Sequence, residues 1–163
     1  MTEPQAFHEH DHRHCIRDGV AAAEDVCARE GLKLTPQRRR VLEILLESHR
    51  ALGAYDILER LRAEGQAAQP PVAYRALDFL TQHGFAHRIE RLNAFVACAH
   101  PETGHVPAFL ICRGCHAVAE AEVPDTGALD RSAVAAGFEI EARVMEAEGL
   151  CPQCRPGMVE AGA

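Results

Sequence analysis

The chain is 163 residues long, 47% apolar and 25% charged, with a formal net charge of −7. This length accommodates one domain or two small ones with real cores, and the longest apolar stretch, around residues 106–112, is far too short to cross a bilayer. A net charge of this sign argues against nucleic acid as a partner, but the charge is unevenly spread. Residues 1–29 carry three basic and six acidic groups, 30–92 ten and eight, and 93–163 four and ten. The basic excess is confined to the middle, where nine of ten cations are Arg, whose guanidinium forks onto phosphates or guanine edges. A nucleic-acid surface is permitted there.

The first ten residues contain neither a basic n-region nor an apolar h-region, so no signal peptide is expected. Seven cysteines, an odd number, fit a reducing cytoplasm better than a disulfide scaffold. His8, His10, His12 and His14 alternate with polar residues and lead into Cys15. No core can be built from that stretch, so residues 1–15 are expected to form a mobile tail that captures zinc loosely, shuttles it or has no role. Residues 16–30 read as an amphipathic helix stopping near Gly31, with Cys27 in the core.

Thr35-Pro36 marks the next helix, Thr as N-cap and Pro at the first helical position, and Val41, Leu42, Leu45 and Leu46 supply its apolar stripe. A third helix over about 54–64 turns Ile57, Leu58 and Leu61 inward and stops at Gly65. A fourth begins at Pro70-Pro71 and ends at Gly84. Helical periodicity puts Val72, Ala73, Ala76, Leu77 and Leu80 on one face, and Tyr74, Arg75, Asp78 and Gln82 on the other. The pattern then changes to alternation over 85–90 and 94–98, broken at Leu92-Asn93, which reads as a β-hairpin. Several helices followed by a hairpin form a winged helix-turn-helix plan, whose last helix before the wing enters a major groove. Tyr74 and Arg75 then face DNA; the plainer alternative is that they cap a solvated face.

Residues 99–107, with two Pro, one Gly and two His, look like a hinge. Beyond it, 108–111 and 117–123 read as strands, Thr126 or Asp125 can cap a helix ending at Gly137, and 138–145 alternates as a third strand. Such an α/β unit is small, so a metal and a partner subunit are both expected. The metal has an evident seat in Cys112-x-x-Cys115 and Cys151-x-x-Cys154, with thirty-five residues between the pairs. Two short knuckles aiming four thiolates at one point form a closed tetrahedral shell for a structural Zn²⁺, leaving no open position for chemistry. Two disulfides would need an oxidising compartment, and a redox exchange pair would leave the thiols reactive and metal-free. His100-Pro101-Glu102 followed by Cys151-x-x-Cys154 superficially suggests a zinc deaminase, but Leu150 replaces the expected Pro and Cys112 and Cys115 go unused.

Leu34-Thr35-Pro36-Gln37-Arg38, Pro71-Val72-Ala73-Tyr74-Arg75-Ala76-Leu77 and the two Cys pairs, in this order and spacing, resemble the ferric uptake regulator family of bacterial metal-dependent repressors over roughly residues 16–155. Within the family the likeness is to zinc uptake regulators. Iron-type members cluster several His in the hinge, whereas Gly104-His105-Val106-Pro107 keeps one, and a thiol, Cys98, ends the second wing strand. The resemblance implies a regulatory zinc site of His87, Cys98, His105 and Glu120, an N/S/O set that suits Zn²⁺. Cys98 read alone is an inert buried residue.

The resemblance further implies an α+β protein with a winged-helix DNA-binding domain (16–98), a hinge (99–107) and a small α/β dimerisation domain (108–163). It implies two Zn²⁺ per subunit, one structural and one regulatory. The expected partners are a second copy and palindromic double-stranded operator DNA, with no membrane and no small-molecule substrate. Tyr74 and Arg75 are expected on bases, and Arg38 and Tyr55 on phosphates. The expected function is zinc-dependent repression of zinc-uptake genes. The nearest rival is a family sensor of iron, manganese, nickel or peroxide.

Overall fold

The computed structural model describes residues 5–7, 11–101, 106–121 and 126–156. Helix α1 (His12–Glu30) starts four residues earlier than the apolar pattern suggests. The Asp11 carboxylate accepts the Arg13 amide at 3.0 Å and also binds its guanidinium, so a cap placed outside the apolar stripe sets the start. The stretch 12–15 is therefore helix and not tail. At the other end Gly31 takes a left-handed conformation (φ 67°) that lets the Leu32 amide return to the Cys27 carbonyl.

Helix α2 (Pro36–Leu46) is capped by Thr35 as expected. In α3 (Ala54–Ala63) the Asp56 carboxylate reaches back to the Gly53 amide at 2.9 Å. Helix α4 (Pro70–Gln82) buries Ala73, Ala76, Leu77, Phe79 and Leu80. These four helices enclose the main core, in which Val41, Ile44, Leu45, Ile57, Leu61 and Leu77 are fully buried. Ionic ties across its surface consume much of the basic excess: Arg39 pairs with Glu24 and Glu43, Arg40 with Glu43, Glu47 and Glu64, and Arg60 with Glu47.

Strands β1 (Ala86–Ile89) and β2 (Ala94–Ala97) form the antiparallel wing, turned by a short 3₁₀ segment and Asn93 at φ 47°. A second sheet has the order β4-β3-β5, with β3 (Ala108–Cys112) antiparallel to β4 (Val118–Ala121) and parallel to β5 (Met145–Gly149). Helix α5 (Gly127–Ala135) makes the crossover. The third strand differs from expectation, occupying Met145–Gly149 and not 138–145. The alternation over 138–144 has no ladder partner among the described residues, and Phe138 is 67% exposed. Helix α5 likewise buries none of its residues, and Val134 is 80% exposed.

The two halves meet through the wing. Ile89 and Val96 pack against Phe109, Ile111 and Val118 in a second small core. Around it, the Val118 amide donates to the His49 carbonyl at 2.8 Å, and the Ala99 amide to Glu120 at 2.9 Å. At the wing tip, Glu146 accepts the amides of Glu90 (2.6 Å) and Arg91 (3.0 Å), while the Arg91 guanidinium clasps Glu148.

Candidate metal centres and nucleic-acid interface

The first knuckle continues β3: Cys112 closes the strand, and the chain turns back through Gly114 and Cys115 to His116, which adopts φ 61°. The second knuckle leaves β5, where the Arg113 amide donates to the Gly149 carbonyl at 2.9 Å and so holds the two turns together. One ligand atom from each of Cys112, Cys115, Cys151 and Cys154 lies within 4.8 Å of all the others. Zinc–thiolate bonds of about 2.3 Å in a tetrahedron require sulfurs about 3.8 Å apart, and Cys115 and Cys151 are 3.7 Å apart. The donor set and its spacing fit Zn²⁺. His100 is exposed and no member of this group, so the deaminase pattern is not assembled.

The thiols here are poised unequally. Burial pushes Cys112 up, but the amides of Cys151, Cys115 and Gly114 outweigh it and bring the thiol down to about 6. Hydrogen bonding with Cys151 and then Cys112 pushes Cys154 up to about 12. Four sulfurs at this spacing cannot all ionise without a cation among them. Gly114 was missed by sequence reading. A Cβ there would stand 3.0 Å from the Cys154 sulfur and 3.1 Å from its Cβ, so any larger residue would force the second knuckle to shift by a few tenths of an ångström.

The second group is set by strand register. His87 pairs with Val96, and the Cys98 amide donates to the Phe85 carbonyl at 2.9 Å, so His87 and Cys98 are diagonal neighbours on one face of the wing. On the facing sheet Glu120 pairs with Phe109, whose ring lies 5.4 Å from the His87 ring. Ligand atoms of His87, Cys98 and Glu120 lie within 4.8 Å of one another, and His87 Nε2 is 3.6 Å from Glu120 Oε1. Cys98 is 5% exposed. Its burial, followed by the neighbouring Glu120 carboxylate, pushes the thiol up to about 12. One thiolate, one imidazole and one carboxylate converging there fit three corners of a tetrahedral Zn²⁺ shell. His105, the remaining expected ligand, lies outside the described residues.

In the helical half, Tyr74, Arg75, Asp78 and Gln82 are all exposed on the face of α4 away from the core. Arg75 makes no ion pair or side-chain hydrogen bond among the described residues, in contrast to the Arg cluster of α2. Tyr55, 65% exposed at the start of α3, shares a shallow notch with Pro70 and Tyr74. Tyr55, Tyr74 and Arg75 thus lie on one surface. Arg38 is differently placed: its guanidinium stacks 3.7 Å over the Phe79 ring and donates to the Lys33 carbonyl at 2.7 Å. Its remaining N–H groups are all it can offer a phosphate.

A family model described as the ferric uptake regulator family matches residues 29–148. The zinc uptake regulation protein of Escherichia coli (strain K12) is 42% identical over 139 residues, covering 83% of this chain and 80% of that protein. A zinc uptake regulator complexed with zinc and DNA aligns with a TM-score of 0.81 at 38% identity, over 85% of this chain and 94% of that one. The apo form of XcZur, 41% identical over 86% and 97% of the two chains, aligns at only 0.51.

Cys151→Ser is expected to lose the tightly held zinc and to unfold the C-terminal sheet, since structural zinc contributes about 10–16 kcal/mol of apparent binding energy coupled to folding. Circular dichroism and metal content of the purified variant check this. A folded, zinc-replete Cys151→Ser protein would remove the four sulfurs from the structural role.

Proposed function

This chain belongs to the ferric uptake regulator family, and we propose that it is a homodimeric, zinc-responsive repressor that binds palindromic operator DNA when zinc-loaded and represses zinc-uptake genes. It is a regulator and not an enzyme. The observation that carries the reading is the meeting of His87 and Cys98, from the wing, with Glu120, from the C-terminal sheet. A cation held there has ligands in both halves of the molecule. Its affinity depends on their relative orientation, which is what a switch requires. A soft thiolate in the set favours zinc over harder, oxygen-seeking ions, and sets the zinc reading above an iron or manganese one.

The shape of the chain supports the same reading. At nearly equal identity it aligns better with the zinc- and DNA-bound neighbour than with the apo one, which supports a zinc-loaded reading of this arrangement. In the proposed division, 16–98 binds DNA, 99–107 is the hinge with His105 as the fourth regulatory ligand, and 108–163 dimerises around the Cys₄ zinc. This gives two zinc ions per subunit. No helix among the described residues is long and apolar enough to cross a membrane, and a DNA-binding role places the protein in the cytoplasm. The exposed apolar groups Leu129, Val134, Phe138 and Val144 all belong to the C-terminal half and offer the surface for a second copy.

In the dimer, two α4 helices about 34 Å apart reach successive major-groove faces of a palindrome. Arg75 forks onto a guanine edge, Tyr74 packs on a thymine methyl, and Tyr55 and the outer N–H groups of Arg38 hold phosphates. Moving the population from 1:99 to 99:1 requires about 10⁴-fold tighter zinc binding to the DNA-competent arrangement, about 5.5 kcal/mol. By linkage, operator DNA tightens zinc binding by the factor that zinc tightens DNA binding.

Three substitutions test these assignments separately. Cys98→Ser is expected to keep the dimer and the Cys₄ zinc but lose zinc-stimulated operator binding, read by gel shift across a buffered zinc range. A zinc response like that of the wild type would sink the regulatory site. Arg75→Ala should cost about 1–3 kcal/mol of discrimination between operator and random DNA, whereas unchanged specificity would remove α4 as the reader. Val134→Glu should leave circular dichroism unchanged and yield monomers in sedimentation, because the side chain is 80% exposed in the single chain; a persistent dimer would place the interface elsewhere.

A further inference from the structure

Among the described residues, the two zinc ions proposed above leave one group of metal-binding side chains unused. His12 and Cys15 occupy successive turns of one face at the start of α1, three residues apart. His49, from the connection between α2 and α3, comes to meet them: its ring centroid lies 5.0 Å from that of His12. One ligand atom from each of His12, Cys15 and His49 lies within 4.8 Å of the other two, and all three side chains are half-buried. We infer that His12, Cys15 and His49 form a third site for a soft divalent cation such as Zn²⁺, weaker than the Cys₄ site and separate from the His87–Cys98–Glu120 group.

Two imidazoles and a thiolate are the donors Zn²⁺ prefers, and three protein ligands leave one corner open, the arrangement of an exchangeable ion. The ligands are also fixed by the fold and not gathered from a coil. Asp11 caps α1 so that His12 is its first residue. The His49 carbonyl is tied to the Val118 amide of β4. Just ahead of α1, Phe7 receives a hydrogen bond from Gln153, inside the second Cys knuckle, at 3.2 Å. An ion at this position therefore joins the start of α1 to the connection that already grips the C-terminal sheet. The donor set holds one thiolate and two imidazoles, where the Cys₄ group has four thiolates. With fewer thiolates and one open corner, this site fills after the Cys₄ site as zinc rises.

The plainer alternative is a ring contact between His12 and His49 that merely covers the helix end. His49→Phe separates the two, since phenyl keeps the contact and cannot ligate. The inference rests on the reading of the previous section only in using zinc as the probe. The experiment is native mass spectrometry of the full chain across a buffered zinc range, for wild type, Cys98→Ser, His49→Phe and Cys15→Ser, with hydrogen exchange of α1 beside it. His49→Phe and Cys15→Ser should each hold one zinc fewer per subunit than wild type at high zinc, in the Cys98→Ser background as well. They should also lose the zinc-induced protection of the first turn of α1. If Cys98→Ser alone keeps the full count, the regulatory assignment fails and this one stands. If His49→Phe matches wild type in both count and protection, the third site is overturned and any extra ion belongs to the flanking histidines.

Discussion

The packing of the wing on the C-terminal sheet is the interaction on which the rest of the molecule depends. Ile89 and Val96 from one side, with Phe109, Ile111 and Val118 from the other, form an apolar patch that neither half buries alone. It is small by the standard of the main helical core. Burying a side chain of this size yields about 1.5–3 kcal/mol, so five partly shared ones give an interface that is sufficient to orient the halves yet weak enough to part. Polar groups are set at its margins. Glu146 and Glu148 grip the wing tip through the Glu90 and Arg91 amides and the Arg91 guanidinium, while His87, Cys98 and Glu120 occupy the hinge end. The tip clasp is exposed, and such pairs contribute little. Control of the interface therefore falls to the hinge end.

Charge is organised around the same division. Glu24, Glu43, Glu47 and Glu64 neutralise Arg39, Arg40 and Arg60, so the basic excess of the middle segment is largely internal scaffolding. The outward Arg75 is left for an external acceptor. The C-terminal half remains strongly acidic, and in the proposed Cys₄ site four thiolates around one Zn²⁺ would add to that. Phosphates are attracted to one end of the molecule and repelled from the other, which orients the docking.

Much of this was legible in the sequence because it rests on short-range rules. Thr35-Pro36, the apolar face of α4 and the break at Leu92-Asn93 are local signals, and the structure follows them. The Cys pairs and the outward Tyr74 and Arg75 were equally visible. What escaped was set by distant partners. The start of α1 depends on Asp11, a cap outside the apolar stripe. The segment 138–145 alternates like a strand, but its pairing energy is unavailable because β3 is taken by 145–149. Glu146 and Glu148 looked like the solvent face of a strand and prove to clasp a wing more than fifty residues earlier. His49 carried no signal at all, lying in a loop far in sequence from His12 and Cys15. Gly114 is invisible to pattern, since its role is to leave room for Cys154.

The hinge end of the interface is also where the chemistry makes closure conditional. Docking the wing buries Cys98 beside Glu120, and burial followed by that carboxylate pushes the thiol up to about 12. A thiolate and a carboxylate this close repel, so without a cation the pair is reconciled only by keeping the thiol protonated. A divalent ion reverses the sign of the local field: it favours loss of the proton and turns two mutually hostile ligands into partners. The apolar patch alone does not distinguish zinc-rich from zinc-poor conditions, because its burial energy is the same in both. In the proposed regulatory site the thiol, the imidazole and the carboxylate do, because their interaction would change from unfavourable to favourable when an ion is bound. Their position at the edge of a modest apolar contact, and not within the main core, is what would let the proposed ion decide whether the halves stay docked.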